Sequence, residues 1–260
     1  TVWCNLGYWE YHTHYADAAA ALAKRVADAA KLKPGHALLD LGVGDGEQLE
    51  LWLQDYAPSA ITAVEISLAK AAAVRARYSA EPRMRVVCAD AVALPPDVAP
   101  GFDAVLCLDC AYPFRTRAAF LRSSARLLRT GGRFAAFDLV AAQCSPWNLR
   151  FVAQRLIALA SSIPLDNLWS VERYGAELER AGYEEVEFDD VSLHVFGPLS
   201  EYARQRARSI MDTGSDREPA GSLPRRVGWW VMLRLLCLYF GVLSRFGLFR
   251  CFVVSASRAA

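Results

Sequence analysis

Between residues 36 and 140, five short apolar runs alternate with stretches of helical periodicity, and no other feature of the chain restricts its fold so tightly. The runs are HALLDLG (36–42), AITAVEI (60–66), MRVVCAD (84–90), FDAVLCLD (102–109) and RFAAFDLV (133–140). Their apolar residues are continuous rather than alternating, which suits strands covered on both faces. Helices are expected between them at Glu47 to Tyr56, Ala69 to Tyr78 and Thr116 to Leu128, with Gly131-Gly132 turning the chain into the fifth run. Strand and helix in this rhythm build a parallel sheet wrapped on both sides. Ahead of it, Ala16 to Leu32 has Leu22, Val26 and Ala29 at helical spacing and is stopped by Pro34-Gly35.

After Val140 the rhythm breaks. Helices are expected at Phe151 to Ala160 and at Val171 to Ala181, the second ended by Gly182. EEVEFDDVSL (184–193) reads as a sixth strand and LFRCFVVSASR (248–258) as a seventh. Between them lie a helix at Ser200 to Ile210, a polar loop DTGSDREPAGS (212–222) and a very apolar helix at Val227 to Leu243. The expectation is an α/β chain of 260 residues in a single domain, a doubly wound sheet of seven strands with the last antiparallel.

Composition narrows the function classes. Lys and Arg total 29 against 28 Asp and Glu, so no global basic field points to nucleic acid. The imbalance is local: residues 201–260 hold ten arginines and four acids. Seven cysteines, an odd number, argue against a secreted disulfide framework and for an intracellular, reducing compartment. Cys107 and Cys110 form a CxxC without a second ligand pair, so no metal is expected. Nothing near Thr1 resembles a signal peptide.

In an open parallel sheet, ligands sit beyond the carboxyl ends of the strands, where strand order reverses. The loop after the first strand, DLGVGDG (40–46), is rich in glycine. A dinucleotide fingerprint is GxGxxG, and here the third glycine comes one position early, at Gly42, Gly44 and Gly46. Asp40, Asp45 and Glu47 crowd the turn with acid, which disfavours a diphosphate and tolerates a cationic ligand. Glu65 ends the second strand 25 residues after Asp40, where a carboxylate accepts from both ribose hydroxyls, and Asp90 ends the third strand after another 25.

This constellation resembles the class I S-adenosylmethionine-dependent methyltransferases, in particular their small-molecule, type 11-like branch, and the resemblance covers nearly the whole chain. It implies a Rossmann-like fold with S-adenosyl-L-methionine as cofactor. Asp40 and Gly42, Gly44 and Gly46 would surround its methionine part, Glu65 and Ile66 the ribose, and Asp90 with Ala91 the adenine. NLGYW (5–9), DCAYPF (109–114) and FAAFD (134–138) look like the branch that methylates small, lipophilic acceptors. There Tyr8 and Trp9 lie on a segment closing over the cofactor and Asp109 borders it. Relatives commonly carry a histidine base where this chain has Pro113, and proline accepts no proton. Asp109, Tyr112, Asp138 and the histidines His12 and His14 remain as candidates. The missing base shifts weight toward an acceptor that is already nucleophilic, an amine, thiolate, phenolate or activated carbon, so that O-, N-, S- and C-methylation all stay open. It also leaves a second reading, an inactive methyltransferase-like subunit of a larger, membrane-associated assembly.

The resemblance also implies an N-terminal cap at residues 1–33 and acceptor-side caps at 141–169 and 193–246. Within the last cap, Val227 to Phe249 is long enough to span a bilayer, but Arg234 and Arg245 lie inside it. It reads instead as a helix roofing the acceptor site, or as an interfacial helix with Trp229 and Trp230 that touches a membrane or a protein partner through 223–250.

Overall fold

The computed structural model describes residues 3–145, 147–211 and 223–259; the polar loop at 212–222 lies outside them. Seven strands form one sheet, β1 (Ala37–Leu41), β2 (Ala60–Glu65), β3 (Met84–Cys88), β4 (Phe102–Leu108), β5 (Leu128–Ala141), β6 (Tyr183–Asp190) and β7 (Phe249–Arg258). Their spatial order is β3-β2-β1-β4-β5-β7-β6. The first five run parallel, and β7 is antiparallel to both β5 and β6. Strand order reverses between β1 and β4, which places the loops after these two strands side by side.

Continuous apolar runs are explained by two cores rather than one. Leu38, Leu106, Phe137 and Val253 point to the side covered by α1 (Tyr15–Ala29), together with Leu22 and Val26. Leu39, Val105, Phe134 and Val254 point to the other, with Phe120 of α4 (Arg117–Leu127) and Tyr174 of α6 (Val171–Arg180). Side chains alternate between faces along each strand, and here both faces are dry. α1 thus packs against β4, β5 and β7 as a covering helix, not only as part of a cap.

Three boundaries differ from the sequence expectation. The second helix is short, α2 (Glu47–Leu51), and widens into a π-helical turn at Trp52–Tyr56. The turn at Gly131-Gly132 is absorbed into β5, where the pairing with β4 slips between Phe102 and Ala104. A Cβ on Gly132 would stand 2.9 Å from the Arg129 carbonyl oxygen, so the slip needs glycine there. β6 stops at Asp190, because that carboxylate accepts from the Ser192 amide and starts a 3-10 turn at Ser192–His194.

The remaining helices are α3 (Leu68–Arg77), α5 (Leu149–Ala160), α7 (Phe196–Met211) and α8 (Leu223–Phe246). α7 and α8 form an antiparallel hairpin, with Ser200 Oγ donating to the Cys237 carbonyl and Ala203, Ala207 and Leu233 packed together. α5 lies beside α8: Ser161 Oγ and Tyr239 OH are 2.6 Å apart, and Arg150 donates to the Phe246 carbonyl at 2.6 Å.

Candidate active site

A cleft of about 430 Å³ opens at the carboxyl ends of β1, β2 and β3. It gathers Gly42, Glu65, Ile66, Asp90 and Ala91, five positions expected from the sequence, with Cys110, Pro113 and Phe114 from the loop after β4. Glu65 is buried, and each of its carboxylate oxygens takes one backbone amide, Gly44 N–H at 2.9 Å and Ser67 N–H at 2.8 Å. Carboxylate oxygens have further lone pairs, so this holds the side chain still without exhausting it. Asp90 stands exposed on the rim, one oxygen accepting from Val92 N–H at 2.9 Å, with Ala91 buried behind it.

The glycines divide the labour. A Cβ on Gly42, whose φ is +75°, would fall 2.5 Å from Cys110 Sγ, because the Cys110 thiol reaches across to donate to the Leu41 carbonyl at 3.0 Å. Gly46 packs against Val74 of α3. Only at Gly44, φ +57°, would a Cβ meet nothing within 4 Å. Open space therefore lies beside one glycine of the three. Gly42→Ala should cost about 2–5 kcal/mol of stability, left-handed strain plus overpacking, with the overpacking part recovered in Gly42→Ala/Cys110→Ala. Gly44→Ala should cost only the strain, about 1–2 kcal/mol, yet weaken cofactor binding more than Gly42→Ala/Cys110→Ala does. Urea denaturation and calorimetry on the three variants check both halves.

Asp40 does not line the cleft. It is fully buried under the loop, where Trp52 Nε1 donates to it at 2.8 Å, and burial raises its carboxyl from the ordinary 3.8 to about 7 against the opposing hydrogen bonds of Trp52 and Gln48. The acid crowd expected around the turn is also largely neutralised. Asp45 pairs with Lys70 at 3.1 Å and Glu47 with Arg77 at 2.8 Å. Lys70, Val74 and Arg77 share one face of α3, four and three residues apart, and that spacing was the available signal.

The N-terminal strap crosses this end of the sheet. Leu6 N–H donates to Asp109 Oδ2 at 2.8 Å and the Cys4 thiol to Asp45 Oδ2 at 3.1 Å. Residues 3–6 thus span from the glycine loop to β4, a contact absent from the sequence reading, which expected Tyr8 and Trp9 in this role. Tyr8 is corrected: its hydroxyl donates to Glu10, Arg25 stacks 4.4 Å over its ring, and it lies against His194, away from the cleft.

Asp109 follows β4 with φ +57°, one residue before Cys110. Its Oδ1 is buried without a hydrogen-bond partner among the described residues, and burial pushes the carboxyl well above the usual carboxylate range. Nearby Tyr112 is pushed up first by the Asp109 charge and then by burial, so its hydroxyl stays protonated; its carbonyl is fixed by Asn167 Nδ2 at 2.9 Å. Asp138 is corrected. It lies on the α4–α6 face of the sheet, fully buried, accepting from Tyr174 OH and Leu139 N–H at 2.8 Å each and paired with Arg117 Nε at 3.3 Å. Such a carboxylate is a structural ion, sealed from any acceptor. His14 caps nothing and stands exposed at the start of α1.

A doubly wound sheet with a glycine loop after β1, a carboxylate ending β2 and an acid just past β3 is the frame of an adenosyl-binding α/β protein. Residues 39–136 match the family Methyltransf_11, described as a methyltransferase domain. The chain is 31% identical over 211 residues to the erythromycin 3''-O-methyltransferase of Saccharopolyspora erythraea, covering 76% of this chain and 67% of that one. It is 32% identical over 195 residues to the 27-O-demethylrifamycin SV methyltransferase of Amycolatopsis mediterranei, covering 72% and 69%. Among solved structures, geranyl diphosphate C-methyltransferase from Streptomyces coelicolor superposes with a TM-score of 0.69 at 16% identity over 94% of this chain and 80% of that one, a likeness of fold. The chain belongs to the class I S-adenosylmethionine-dependent methyltransferases, in their small-molecule branch, and S-adenosylmethionine is its cofactor. The reading as an inactive subunit finds no support among these relatives.

Proposed function

We propose that the chain methylates a hydroxyl oxygen of a small, lipophilic acceptor, with Asp109 receiving the acceptor's proton. The observation that carries this is the buried Oδ1 of Asp109, without a hydrogen-bond partner among the described residues and one position before Cys110 of the cleft lining. The relatives named for O-methylation or for a demethylated oxygen support an oxygen acceptor. When bound, S-adenosylmethionine supplies an electrophilic methyl group on a sulfonium. Glu65 and Ile66 hold the ribose, Asp90 and Ala91 the adenine, and Gly44 leaves room for the amino-acid end, while Gly42, Gly46 and Asp40 keep the loop in shape.

The chain's own work is alignment, proton acceptance and exclusion of water. Holding donor and acceptor in line supplies about 7–11 kcal/mol of the barrier; a positioned base adds about 10²- to 10⁴-fold. The strap at Cys4 to Leu6 and the layer of α5 and α8, which packs Ile157, Tyr239 and Phe240 into the same cluster as Tyr112, cover the acceptor side. The caps are accordingly residues 1–33, 141–169 and 193–246, and residues 223–250 are the surface open to a further partner, a membrane or a protein.

Glu65→Ala should weaken S-adenosylhomocysteine by about tenfold or more, the value of hydrogen bonds to a charged group. Calorimetry giving unchanged affinity would remove the ribose assignment. For the acceptor, transfer of labelled methyl groups to a panel of lipophilic alcohols, amines and thiols should put the label on oxygen. Tight S-adenosylhomocysteine binding without transfer to any of them would overturn the proposal.

A further inference from the structure

Methyl transfer leaves the outer side of α8 unused. α8 turns Leu233 and Leu243 inward and leaves Trp229, Leu235 and Leu238 outward, the two leucines 62% and 66% exposed. Val227–Phe246 has a mean hydropathy of 1.6, yet only 11% of it is buried. α5 continues the surface, with Leu156 and Leu159 exposed, and it is held against α8 by Ser161–Tyr239 and Arg150–Phe246. Exposed apolar side chains on two adjoining helices of a folded chain mark a docking site.

Its charge has one sign. No acid occurs between Asp138 and Asp166 or after Glu218, whereas Arg150, Arg155, Arg234 and Arg245 fall in those stretches. A groove of about 390 Å³ between α7 and α8 is lined by Arg204, Arg234, Trp230, Leu235 and Leu238. Arg204 is paired with Glu201, but the Arg234 guanidinium, 5.7 Å from the Trp230 ring, has no acidic partner among the described residues. Cation, indole and leucines in one groove match an anionic headgroup followed by acyl chains. A bilayer-spanning arrangement is disfavoured, because Arg234 sits midway along α8 and α7 already covers its other side.

We propose that α5 and α8 rest on an anionic phospholipid bilayer, with the Arg234 groove receiving a headgroup phosphate. The proposal rests on reading 223–250 as a partner surface and is independent of the methyl acceptor. An interfacial helix of this kind binds through buried apolar side chains plus attraction of its basic residues to the surface. One arginine near an anionic surface contributes about fivefold in affinity.

Cosedimentation of the full chain with phosphatidylcholine vesicles, with and without phosphatidylglycerol, tests it. Binding should be at least about tenfold tighter with phosphatidylglycerol and should fall as salt rises. Arg234→Gln should weaken it about fivefold, and Leu235→Asp/Leu238→Asp should abolish it. Both variants should keep the wild-type affinity for S-adenosylhomocysteine, which shows that they fold and separates this result from the active-site assignment. Equal binding to neutral and anionic vesicles, no binding to either at millimolar lipid, or a lipid-free dimer by light scattering that Leu235→Asp/Leu238→Asp dissociates would each overturn the proposal.

Discussion

Asp109→Asn should lower kcat/KM toward an oxygen acceptor by about 10²- to 10⁴-fold and leave S-adenosylhomocysteine affinity within a few-fold. The asparagine carbonyl still accepts from Leu6 N–H, so the strap stays anchored; what is lost is the ability to take a proton. Tyr112 does not replace it: the variant removes the Asp109 charge, but burial still holds the phenol above its ordinary value and protonated. The pH profile separates a base from a mere anchor. A base works only when ionised, and burial raises the Asp109 carboxyl, so wild-type kcat/KM should climb with pH through a value above the usual carboxylate range and fall away in acid. The asparagine variant should lose that limb. A variant within threefold of wild type, or one retaining the acid limb, would assign proton acceptance elsewhere.

How far the sequence carried this site depends on which neighbour decides each residue's role. Strand ends are local, so Glu65, Asp90 and the glycine loop were legible from apolar runs and spacing. Which face a strand residue points to was not. Asp40 lies one residue from the end of β1 and Asp138 inside β5, but Asp40 shares a side with Leu38 and lands on Trp52, while Asp138 shares a side with Ala136 and lands on Arg117 and Tyr174. In an alternating amphipathic strand the polar face would announce itself; with two dry faces the parity carries no label.

Contacts distant in sequence were hidden for a different reason. Leu6 meets Asp109 across 103 positions, and nothing in NLGYW says that a backbone amide, not an aromatic side chain, makes the closure. Tyr8 is drawn off by Arg25 and His194, which only the packing of α1 and the turn after β6 bring together. The glycines show a third limit. Three in five positions suggest one purpose, yet Gly42 answers to Cys110, Gly46 to Val74, and Gly44 alone to open space.

Asp40→Asn should change the sign of its effect on stability between acid and alkaline pH. The folded-state carboxyl titrates near 7 against an ordinary 3.8, because burial penalises the charge more than the Trp52 and Gln48 hydrogen bonds favour it. A raised carboxyl is protonated more readily folded than unfolded, so its contribution is fully present below the unfolded value and is lost as pH rises through about 7. A displacement of that size corresponds to about 4 kcal/mol withheld from the wild type at pH 9. Asparagine carries no charge to desolvate and its carbonyl can accept from Trp52, but its amide faces the side where Oδ1 has no hydrogen-bond partner among the described residues, at a cost of about 1–3 kcal/mol. Urea denaturation should therefore find the variant more stable than wild type by about 1–3 kcal/mol at pH 9 and less stable by a similar amount at pH 3, below the unfolded carboxyl's ordinary 3.8. Equal destabilisation at both pH values would mean that Asp40 stays ionised under the loop, and the glycine turn would then rest on a buried anion held by Trp52.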